Sequence, residues 1–334
     1  MVKNLPTWAV VATVDEPPAV VQAFVAWHLA LGASQVFIYC DRPNDPVQSI
    51  LAHLAQVTVV GCDAAHWLRV GKSRPRRHEV RQVRNARDAD ARAKTDWILH
   101  CDADEFVWAG VSVQSVLAGA LDQTDCLVLP VAERNGPAEE SIFDGAFRRP
   151  YREPHKTGRT IFGPDYDLTY RGLTGHAQGK AFVRRGRLLQ MSIHRPHSSQ
   201  SDADVVVEQA QTDALELLHF EGLTAAHWVF KLSRMIHALA ENDGMPPSKH
   251  RHRQADALIA DPDGGAALYH RLKCPDDARI ALLKRYGLWA VPAFDPSAAL
   301  QQYFPDQSVD LAPQAVDAWL RHKKAHVLSY LRGE

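Results

Sequence analysis

Residues 8–45, WAVVATVDEPPAVVQAFVAWHLALGASQVFIYCDRPND, decide the fold class of this chain. The apolar run Trp8–Val14 predicts a buried strand, and the pair Pro17-Pro18 marks the start of a helix. Apolar residues then recur at helical spacing as far as Gly32, which ends the helix. Gln35–Cys40 predicts a second strand. This order predicts the start of a parallel α/β sheet.

The alternation of strands and helices continues to about residue 130. Val57–Cys62, Trp97–Cys101 and Asp125–Val131 are predicted as further strands, with helical segments between them. The pattern predicts an α/β fold with a mixed, mostly parallel sheet flanked by helices. Ligands of such sheets bind at the carboxyl ends of the strands, so the residues that follow each strand are the candidates for a site.

The chain changes character beyond residue 130. Glycine and proline interrupt the alternation between Glu133 and Pro196, and helical segments are predicted at Ala203–Phe220, Ala225–Glu241 and Pro313–Leu331. We therefore expect one domain over residues 1–200 and a mainly helical region over 201–334 packed on it.

Composition excludes several classes of protein. The 334 residues carry 38 Lys and Arg against 39 Asp and Glu, so a dedicated nucleic-acid binder is not expected. The apolar run near the N-terminus is too weakly flanked for a signal peptide, and no run reaches the roughly 18 apolar residues of a membrane span. Five cysteines without a CxxC pair indicate reduced thiols. We expect a cytoplasmic protein.

One acidic cluster follows the strand at Trp97. In His100-Cys101-Asp102-Ala103-Asp104-Glu105-Phe106, three carboxylates stand within four positions and repel one another unless a cation lies among them. Alternation in an extended segment points Asp102 and Asp104 the same way, so both can face one Mg²⁺ or Mn²⁺ ion. Such an ion completes its shell with phosphate oxygens and neutralises charge on a diphosphate leaving group. A solvated acidic loop is the alternative.

Three stretches resemble a known group of enzymes. The segment Trp27-His28-Leu29-Ala30-Leu31-Gly32, the turn Tyr39-Cys40-Asp41-Arg42-Pro43-Asn44-Asp45 and the later strand ending in Asp102-Ala103-Asp104-Glu105-Phe106 are similar to the signature of glycosyltransferase family 2-like proteins. The resemblance covers roughly residues 7 to 110. It implies a GT-A fold, a nucleotide-sugar donor and a divalent metal, Mn²⁺ or Mg²⁺.

The resemblance also implies residues for the donor. Thr13, Asp15 and Glu16 lie where such enzymes hold the nucleobase and ribose, because a carboxylate accepts from an imide N–H or a hydroxyl. Asp41 offers a second ribose contact. A helix cap is the alternative role for Asp15, and a plain turn is the alternative for Asp41.

Further positions match the second half of the family pattern. Arg81, Arg84 and Asn85 precede the metal strand and are expected to steady the diphosphate, although an exposed arginine-rich helix face is the alternative for Arg81. Lys180, in a Gly-Lys-x-x-x-Arg strand, is expected to counter phosphate charge unless it is a surface lysine. His194, in the turn His194-Arg195-Pro196-His197, is expected as a third metal ligand or as a hydrogen-bond donor to the diphosphate. A residue that only hydrogen-bonds the turn is the alternative.

The catalytic base is the least defined position. An inverting transfer needs a carboxylate that takes the proton of the acceptor hydroxyl. Glu133, at the end of the predicted fifth strand, is the expected base, with Asp104 acting in catalysis through the ion. Asp144, Asp165 and Glu221 remain candidates, because the family's aromatic Phe-Gly-Ser segment is replaced by Val131-Ala132-Glu133-Arg134-Asn135-Gly136.

These observations predict a metal-dependent glycosyltransferase. The expected donor is a UDP-sugar, and the expected acceptor is a saccharide or a lipid-linked saccharide of polysaccharide biosynthesis. The alternatives are a non-catalytic nucleotide- or saccharide-binding protein and a metal-dependent phosphatase, which is disfavoured because Phe106 stands where a threonine is expected. The basic stretch Lys249–Arg253 is predicted as a loop. This loop and the last helix are candidates for a peripheral contact with the inner face of a membrane.

Overall fold

A computed structural model describes residues 5–152, 155–198, 207–240 and 248–323. The chain divides into two compact units. The first consists of Met1–Pro130, Gln178–Leu217 and Asp295–Val309, and the second of Val131–Ala177, Leu218–Phe294 and Asp310–Glu334. This division differs from the expected boundary at residue 200, because the chain leaves the first unit after Pro130 and returns to it at Gln178.

The strands and helices of the described residues alternate at first and become mainly helical later. The strands are β1 (Trp8–Val14), β2 (Gln35–Cys40), β3 (Val57–Gly61), β4 (Trp97–His100), β5 (Glu105–Ala109), β6 (Cys126–Leu129), β7 (Val131–Asn135), β8 (Ala146–Arg148), β9 (Lys180–Arg184), β10 (Leu189–Gln190), β11 (His197–Ser198), β12 (Gln209–Gln211), β13 (Leu215–His219) and β14 (Trp289–Ala290). The helices are α1 (Pro18–Ala30), α2 (Val47–Leu51), α3 (Ala64–Val70), α4 (His78–Arg92), α5 (Val113–Ala118), α6 (His155–Phe162), α7 (Ala225–Ala240), α8 (Lys249–Ala260), α9 (Gly265–Lys273), α10 (Asp277–Arg285), α11 (Ser297–Tyr303) and α12 (Pro313–Lys323), with a 3-10 helix at Gly163–Leu168.

A seven-stranded sheet forms the centre of the first unit, in the order β12-β6-β9-β4-β1-β2-β3. Strands β4, β1, β2 and β3 run parallel, and β9 lies antiparallel between β4 and β6. The predicted mixed, mostly parallel sheet flanked by helices is confirmed. Gln178–Leu217 belongs to the first unit because the chain returns to this sheet at β9.

The first strand and helix form for the reasons that the sequence gives. All seven residues of β1 are buried, as expected of a strand covered on both faces. Helix α1 begins at Pro18 and buries nine of its residues. Gly32, with φ +92°, follows its end in the left-handed region that glycine adopts most readily.

The second unit contains a small antiparallel group of strands and most of the later helices. Strand β8 pairs antiparallel with β7 and with β14. Trp228 of α7, Leu258 of α8 and Tyr269 of α9 belong to one buried apolar cluster. The predicted helical C-terminal region is confirmed, although residues 324–331 of its last helix lie outside the described part of the chain.

Two local predictions are wrong. The segment predicted as a helix at Ala203–Phe220 contains β12 and β13, and its first residues, 203–206, lie outside the described residues. Strand β12 forms because it adds to the sheet beside β6, and this pairing overrides a helical pattern. Lys249–Arg253 begins α8 instead of forming a loop, because His250, Gln254 and Leu258 recur on one buried face.

Within the described residues, no helix is both long enough and apolar enough to cross a lipid bilayer.

Candidate functional site

The carboxyl ends of three neighbouring strands place the predicted acidic residues at one edge of the first unit's sheet. Val14 of β1 pairs with Cys40 of β2, and Val11 of β1 pairs with His100 of β4. Asp15, Asp41 and Asp102 follow these strand ends directly or within two residues. The three residues thus lie at the carboxyl edge of the sheet, where α/β sheets bind ligands, and the expectation that they line one cleft stays a prediction.

Asp41 is held by two arginines. Arg81 approaches both of its carboxylate oxygens, with Nε 2.8 Å from Oδ1 and NH2 3.0 Å from Oδ2. Arg74 lies 2.8 Å from Oδ2, and its own side chain is 48% exposed. Asp41 is nearly buried, so most of its accepting capacity is used within the protein. Arg74 therefore presents an anchored cation at this edge, while a contact between Asp41 and ribose stays a prediction.

Asp15 belongs to a neighbouring ion-pair group. Arg42 Nε lies 2.7 Å from Asp15 Oδ1, and Arg42 NH2 lies 2.9 Å from Asp45 Oδ2. The carboxylate of Glu16 accepts the backbone N–H of Asp15 at 2.6 Å. Helix α1 has no side-chain cap, so Asp15 is not the helix cap that was its alternative role.

Thr13 and Asn85 lie beneath the edge and hold elements together. The side-chain amide of Asn85 donates to Thr13 Oγ1 at 2.9 Å, and Asn85 Oδ1 lies 2.8 Å from His66 Nε2. Both Thr13 and Asn85 are buried. Arg84, on the same helix, donates to the Ser73 carbonyl at 3.0 Å. These contacts join α3 and α4 to β1, and the donor contacts of these residues stay predictions.

The acidic cluster after β4 surrounds a buried lysine. Lys180 Nζ lies 3.1 Å from Asp102 Oδ2 and 3.2 Å from Glu105 Oε2, and no part of its side chain is exposed. Gln82 donates to the other oxygen of Asp102. Glu105 also accepts the backbone N–H of Asp102 at 2.9 Å. Lys180 is therefore not the surface lysine that was its alternative role.

Lys180 is charged within this cluster. Burial alone would lower the pKa of Lys180, but the carboxylates of Asp102 and Glu105 outweigh burial and raise its pKa above the ordinary value. One ammonium group thus lies between two carboxylates, and Asp104, the third acidic residue of this segment, is also buried. The side chain of Asp102 is 30% exposed, so the cluster opens to solvent at this residue.

The composition of the cluster fits a hard divalent cation. Carboxylate oxygens are the ligands that Mg²⁺ and Mn²⁺ prefer. A cation held by Asp102 and Asp104 stays a prediction.

Two histidines hold the segment that follows β10. His100 Nδ1 lies 3.0 Å from the Ser192 carbonyl, and its Nε2 is buried with no hydrogen-bond partner among the described residues. Burial, with the charge of Lys180, lowers the pKa of His100, so the ring is neutral at pH 7. His194 Nδ1 donates to the Gly179 carbonyl at 3.0 Å. Metal-binding histidines commonly make such a contact, but so do histidines that only hold a turn, so the ligand role of His194 stays a prediction.

Glu133, the expected base, lies in a closed environment of the second unit. Its Oε1 accepts from Lys273 Nζ at 2.9 Å and from the backbone and hydroxyl of Thr174 at 2.9 and 2.8 Å. Its Oε2 accepts the backbone N–H of Gly175 at 2.7 Å. Burial would raise the pKa of Glu133, but Lys273 and Arg148 outweigh burial and lower it to about 2. Glu133 is thus ionised and nearly saturated with donors, and its catalytic role stays a prediction.

The other candidate bases are also engaged. Glu221 lies 2.5 Å from Lys231 and 3.0 Å from Arg251, and these charges outweigh burial and lower its pKa. Asp165 pairs with Arg271 at 2.5 Å. Asp144 accepts the backbone N–H groups of Glu140 and Ser141. Each of the three has a structural task of its own.

Sequence reasoning missed Arg42 and Arg74 and did not assign Glu105 a partner. Both arginines lie in polar segments where many charged residues follow one another, so nothing in their spacing distinguishes them. The sequence shows that Glu105 stands three residues after Asp102. It does not show the partner of Glu105, because Lys180 lies 75 residues away.

Comparisons with known proteins give distant likenesses. No family model and no curated protein matches the chain. A crystal structure of TarS residues 1–349 from S. aureus is 12% identical, with a TM-score of 0.35, and the match covers 98% of this chain and 87% of that chain. HddC from Yersinia pseudotuberculosis is 9% identical, with a TM-score of 0.28, and the match covers 65% of this chain and 77% of that chain. At these TM-scores the likeness gives no information about function.

Proposed function

We propose that this chain is a glycosyltransferase that moves a sugar from a nucleotide-sugar donor, a UDP-sugar, to a hydroxyl of a saccharide or lipid-linked acceptor. The observation that carries the proposal is the meeting of Asp15, Asp41 and Asp102 at the carboxyl edge of β2, β1 and β4. The resemblance of residues 7 to 110 to family 2-like glycosyltransferases supports the same reading.

The arginines at this edge support binding of a diphosphate. Arg42 and Arg74 are each held by a carboxylate, and both are substantially exposed. An arginine fixed in this way keeps donors available for phosphate oxygens and loses little conformational freedom when it binds them. In the proposal, these two residues contact the donor directly, and Asp15 and Asp41 position them.

We propose that Asp102 and Asp104 hold a divalent cation together with the donor. When bound, Mn²⁺ or Mg²⁺ would neutralise the charge that develops on the departing diphosphate. Lys180 fixes Asp102 from the buried side, and Gln82 fixes it from α4. The chain thus orients one partly exposed carboxylate toward the place where the donor is proposed to bind.

The proposed reaction inverts the sugar. A bond forms between the acceptor hydroxyl oxygen and the anomeric carbon as the bond to the diphosphate breaks, and a carboxylate takes the hydroxyl proton. Glu133 is the predicted base. Its low pKa makes it a weak one, so replacement by glutamine should separate a base from a structural carboxylate.

The proposal is tested by hydrolysis of a panel of UDP-sugars by the full chain, with Mn²⁺ or with a chelator. Asp102→Asn and Asp104→Asn should each lower Mn²⁺-dependent hydrolysis by about tenfold or more. Asp122→Asn removes an exposed carboxylate of the same unit and should leave the rate unchanged. Equal hydrolysis with metal and with chelator, or an equal rate in all three variants, would contradict the proposal.

The same panel separates the alternative classes. A non-catalytic binding protein would be stabilised against heat by a UDP-sugar without ever releasing UDP. A phosphatase would release inorganic phosphate from a simple phosphate monoester and would not require the sugar. A glycosyltransferase should release UDP and free sugar, and should do so faster once the correct acceptor is present.

A further inference from the structure

A concave pocket lies wholly within the second unit, apart from the residues proposed above to bind the donor or the metal. It has a volume of about 540 Å³, which is within the range of small-molecule sites. Three tyrosines line it, Tyr151, Tyr166 and Tyr170. Tyrosine gives a flat apolar face together with a polar hydroxyl, so it suits a ligand whose ring has both apolar and hydroxyl-bearing surfaces.

The charged side chains of the pocket are mostly cationic. Arg152, Arg171 and Lys249 line it, and none of them has an ion-pair partner among the described residues. Arg253 also lines it and pairs with Asp167, the acidic residue of the lining, at 3.2 Å. Four cations thus stand against one carboxylate. Cations gathered around a concavity without acidic partners attract an anion.

The backbone at Arg171 is strained. Its φ is +51°, and it is the one residue other than glycine with a positive φ in the described part of the chain. The conformation is held because the Arg171 carbonyl accepts the backbone N–H of Tyr151 at 3.1 Å, and because the guanidinium lies 5.8 Å from the ring of Tyr170. Strain of this kind persists where the surroundings fix it, and it is common at ligand sites.

Helix α8 begins at the pocket with an unusual charge pattern. Ser248, its N-cap residue, makes no side-chain cap, and the first turn contains no acidic residue. It contains instead Lys249, His250 and Arg251, although a helix N-terminus favours negative charge. His250 contacts the Gly175 carbonyl and Arg251 pairs with Glu221, whereas Lys249 lines the pocket. Free N–H groups and cations at one helix start are the arrangement that binds phosphate.

We propose that this pocket binds a phosphate ester of a saccharide. A phosphate monoester carries about −1.5 to −2 charges at pH 7, which balances the excess of three cations better than a single carboxylate does. In this assignment Arg152, Arg171 and Lys249 contact the phosphate, and the tyrosines contact the sugar ring.

The site is tested by calorimetric titration of the full chain with glucose 6-phosphate, glucose, glucuronate and inorganic phosphate. Glucose 6-phosphate should bind most tightly, and glucose alone should not bind measurably. Arg152→Ala/Lys249→Ala should weaken glucose 6-phosphate by about tenfold or more, since each lost contact to an anion is charge-assisted. Lys284→Ala/Arg285→Ala removes the same charges from exposed positions of α10 in the same unit and should change nothing.

A second variant distinguishes a loss of binding from misfolding. Lys249→Glu places an acidic residue at the start of α8, where it favours the helix, yet it should abolish binding by repelling the phosphate. Equal affinity for glucose 6-phosphate in wild type, Arg152→Ala/Lys249→Ala and Lys249→Glu would overturn the site. The site would also be overturned if the chain sedimented with vesicles of phosphatidylglycerol and phosphatidylcholine but did not bind soluble glucose 6-phosphate. That result would assign the cations to a lipid surface.

The outcomes also separate this site from the proposed function. If glucose 6-phosphate binds as described but no UDP-sugar is hydrolysed, the proposed function fails and the pocket stands as a sugar-phosphate site. If UDP-sugars are hydrolysed with metal but glucose 6-phosphate does not bind, the pocket assignment fails alone.

Discussion

Each unit contains a lysine that is wholly buried against carboxylates, and the two clusters differ in how far they open to solvent. In the first unit, Lys180 contacts Asp102 and Glu105, and the side chain of Asp102 is 30% exposed. In the second unit, Lys273 contacts Glu133, and neither side chain is exposed at all. We call these the open cluster and the closed cluster.

The pKa values of the two lysines shift in opposite directions. Two carboxylates raise the pKa of Lys180 despite its burial, whereas for Lys273 burial outweighs Glu133 and lowers the pKa to about 8. The ammonium group of Lys180 thus contacts two carboxylates, and that of Lys273 contacts one. We propose that the open cluster, which reaches solvent at Asp102, takes up a cation or a substrate, and that the closed cluster stabilises the fold.

The largest expected difference between the clusters is in stability. Glu133→Gln should lower the free energy of unfolding by about 3–5 kcal/mol, because it leaves Lys273 buried without a charge partner. Asp102→Asn should cost about 1 kcal/mol or less, since Asp102 is partly exposed and Lys180 keeps Glu105. Urea unfolding followed by circular dichroism measures both. The double variant Glu133→Gln/Lys273→Met should recover part of the loss, and equal losses for the two single variants would remove the distinction.

Lowering the pH should reduce the stability that the closed cluster gives to the fold, over a defined pH range. The pKa of Glu133 is lowered from 4.5 to about 2, so below pH 4.5 the unfolded chain gains a proton that the folded chain does not. The stabilisation from Glu133 is complete above pH 4.5 and is lost as the pH falls toward 2, by about 3 kcal/mol in total. The gap in unfolding free energy between wild type and Glu133→Gln should narrow over this window. A gap that stays constant from pH 7 to pH 2 would show that Glu133 has an ordinary pKa.

Two glycines beside the clusters should respond differently to alanine. Gly179, next to Lys180, has φ +68°, and an added Cβ would collide with the Leu129 carbonyl oxygen. Gly179→Ala should therefore cost about 1–3 kcal/mol. An added Cβ at Gly175 would lie 3.1 Å from Glu133 Oε2 without an unfavourable φ, so Gly175→Ala should cost less. Thermal unfolding ranks the two, and the opposite order would contradict the described packing.

The smallest expected effect is a rescue by metal. Lys180→Met leaves the open cluster without its ammonium group, so Mn²⁺ should raise the melting temperature of this variant, by the equivalent of about 1 kcal/mol at several times its Kd. Lys273→Met should gain nothing from Mn²⁺, because the closed cluster has only one carboxylate in contact. Mg²⁺ is the control, because it carries the same charge as Mn²⁺ but lacks the affinity of Mn²⁺ for nitrogen ligands. Rescue of both variants, or of neither, would make the two clusters equivalent.

The first 130 residues were the most predictable part of the fold. Unbroken apolar strands and proline- or glycine-bounded helices give local signals that agree with the final sheet, as in β1 and α1. Prediction failed where distant pairing decides the structure. Strand β12 exists because it lies beside β6, and α8 exists because one side of a strongly basic segment packs into the core.

The candidate site was predictable in its position and less so in its contacts. The strand ends identify Asp15, Asp41 and Asp102 because parallel strands share an edge. Their partners come from distant segments, so the sequence did not distinguish Lys180, which fixes an open carboxylate, from Lys273, which closes over Glu133. Burial is what separates these two lysines, and burial depends on the whole fold.

The central claim is that the open cluster, and not the closed one, binds the donor with a metal ion. Calorimetric titration of UDP into the full chain, with Mn²⁺ and with a chelator, tests it most directly in wild type, Asp102→Asn and a folded preparation of Glu133→Gln. We expect Mn²⁺ to strengthen UDP binding by about tenfold or more in wild type and in Glu133→Gln, and we expect Asp102→Asn to abolish this gain. Equal UDP affinity with and without Mn²⁺ in wild type, or a gain that survives Asp102→Asn and disappears in Glu133→Gln, would contradict it.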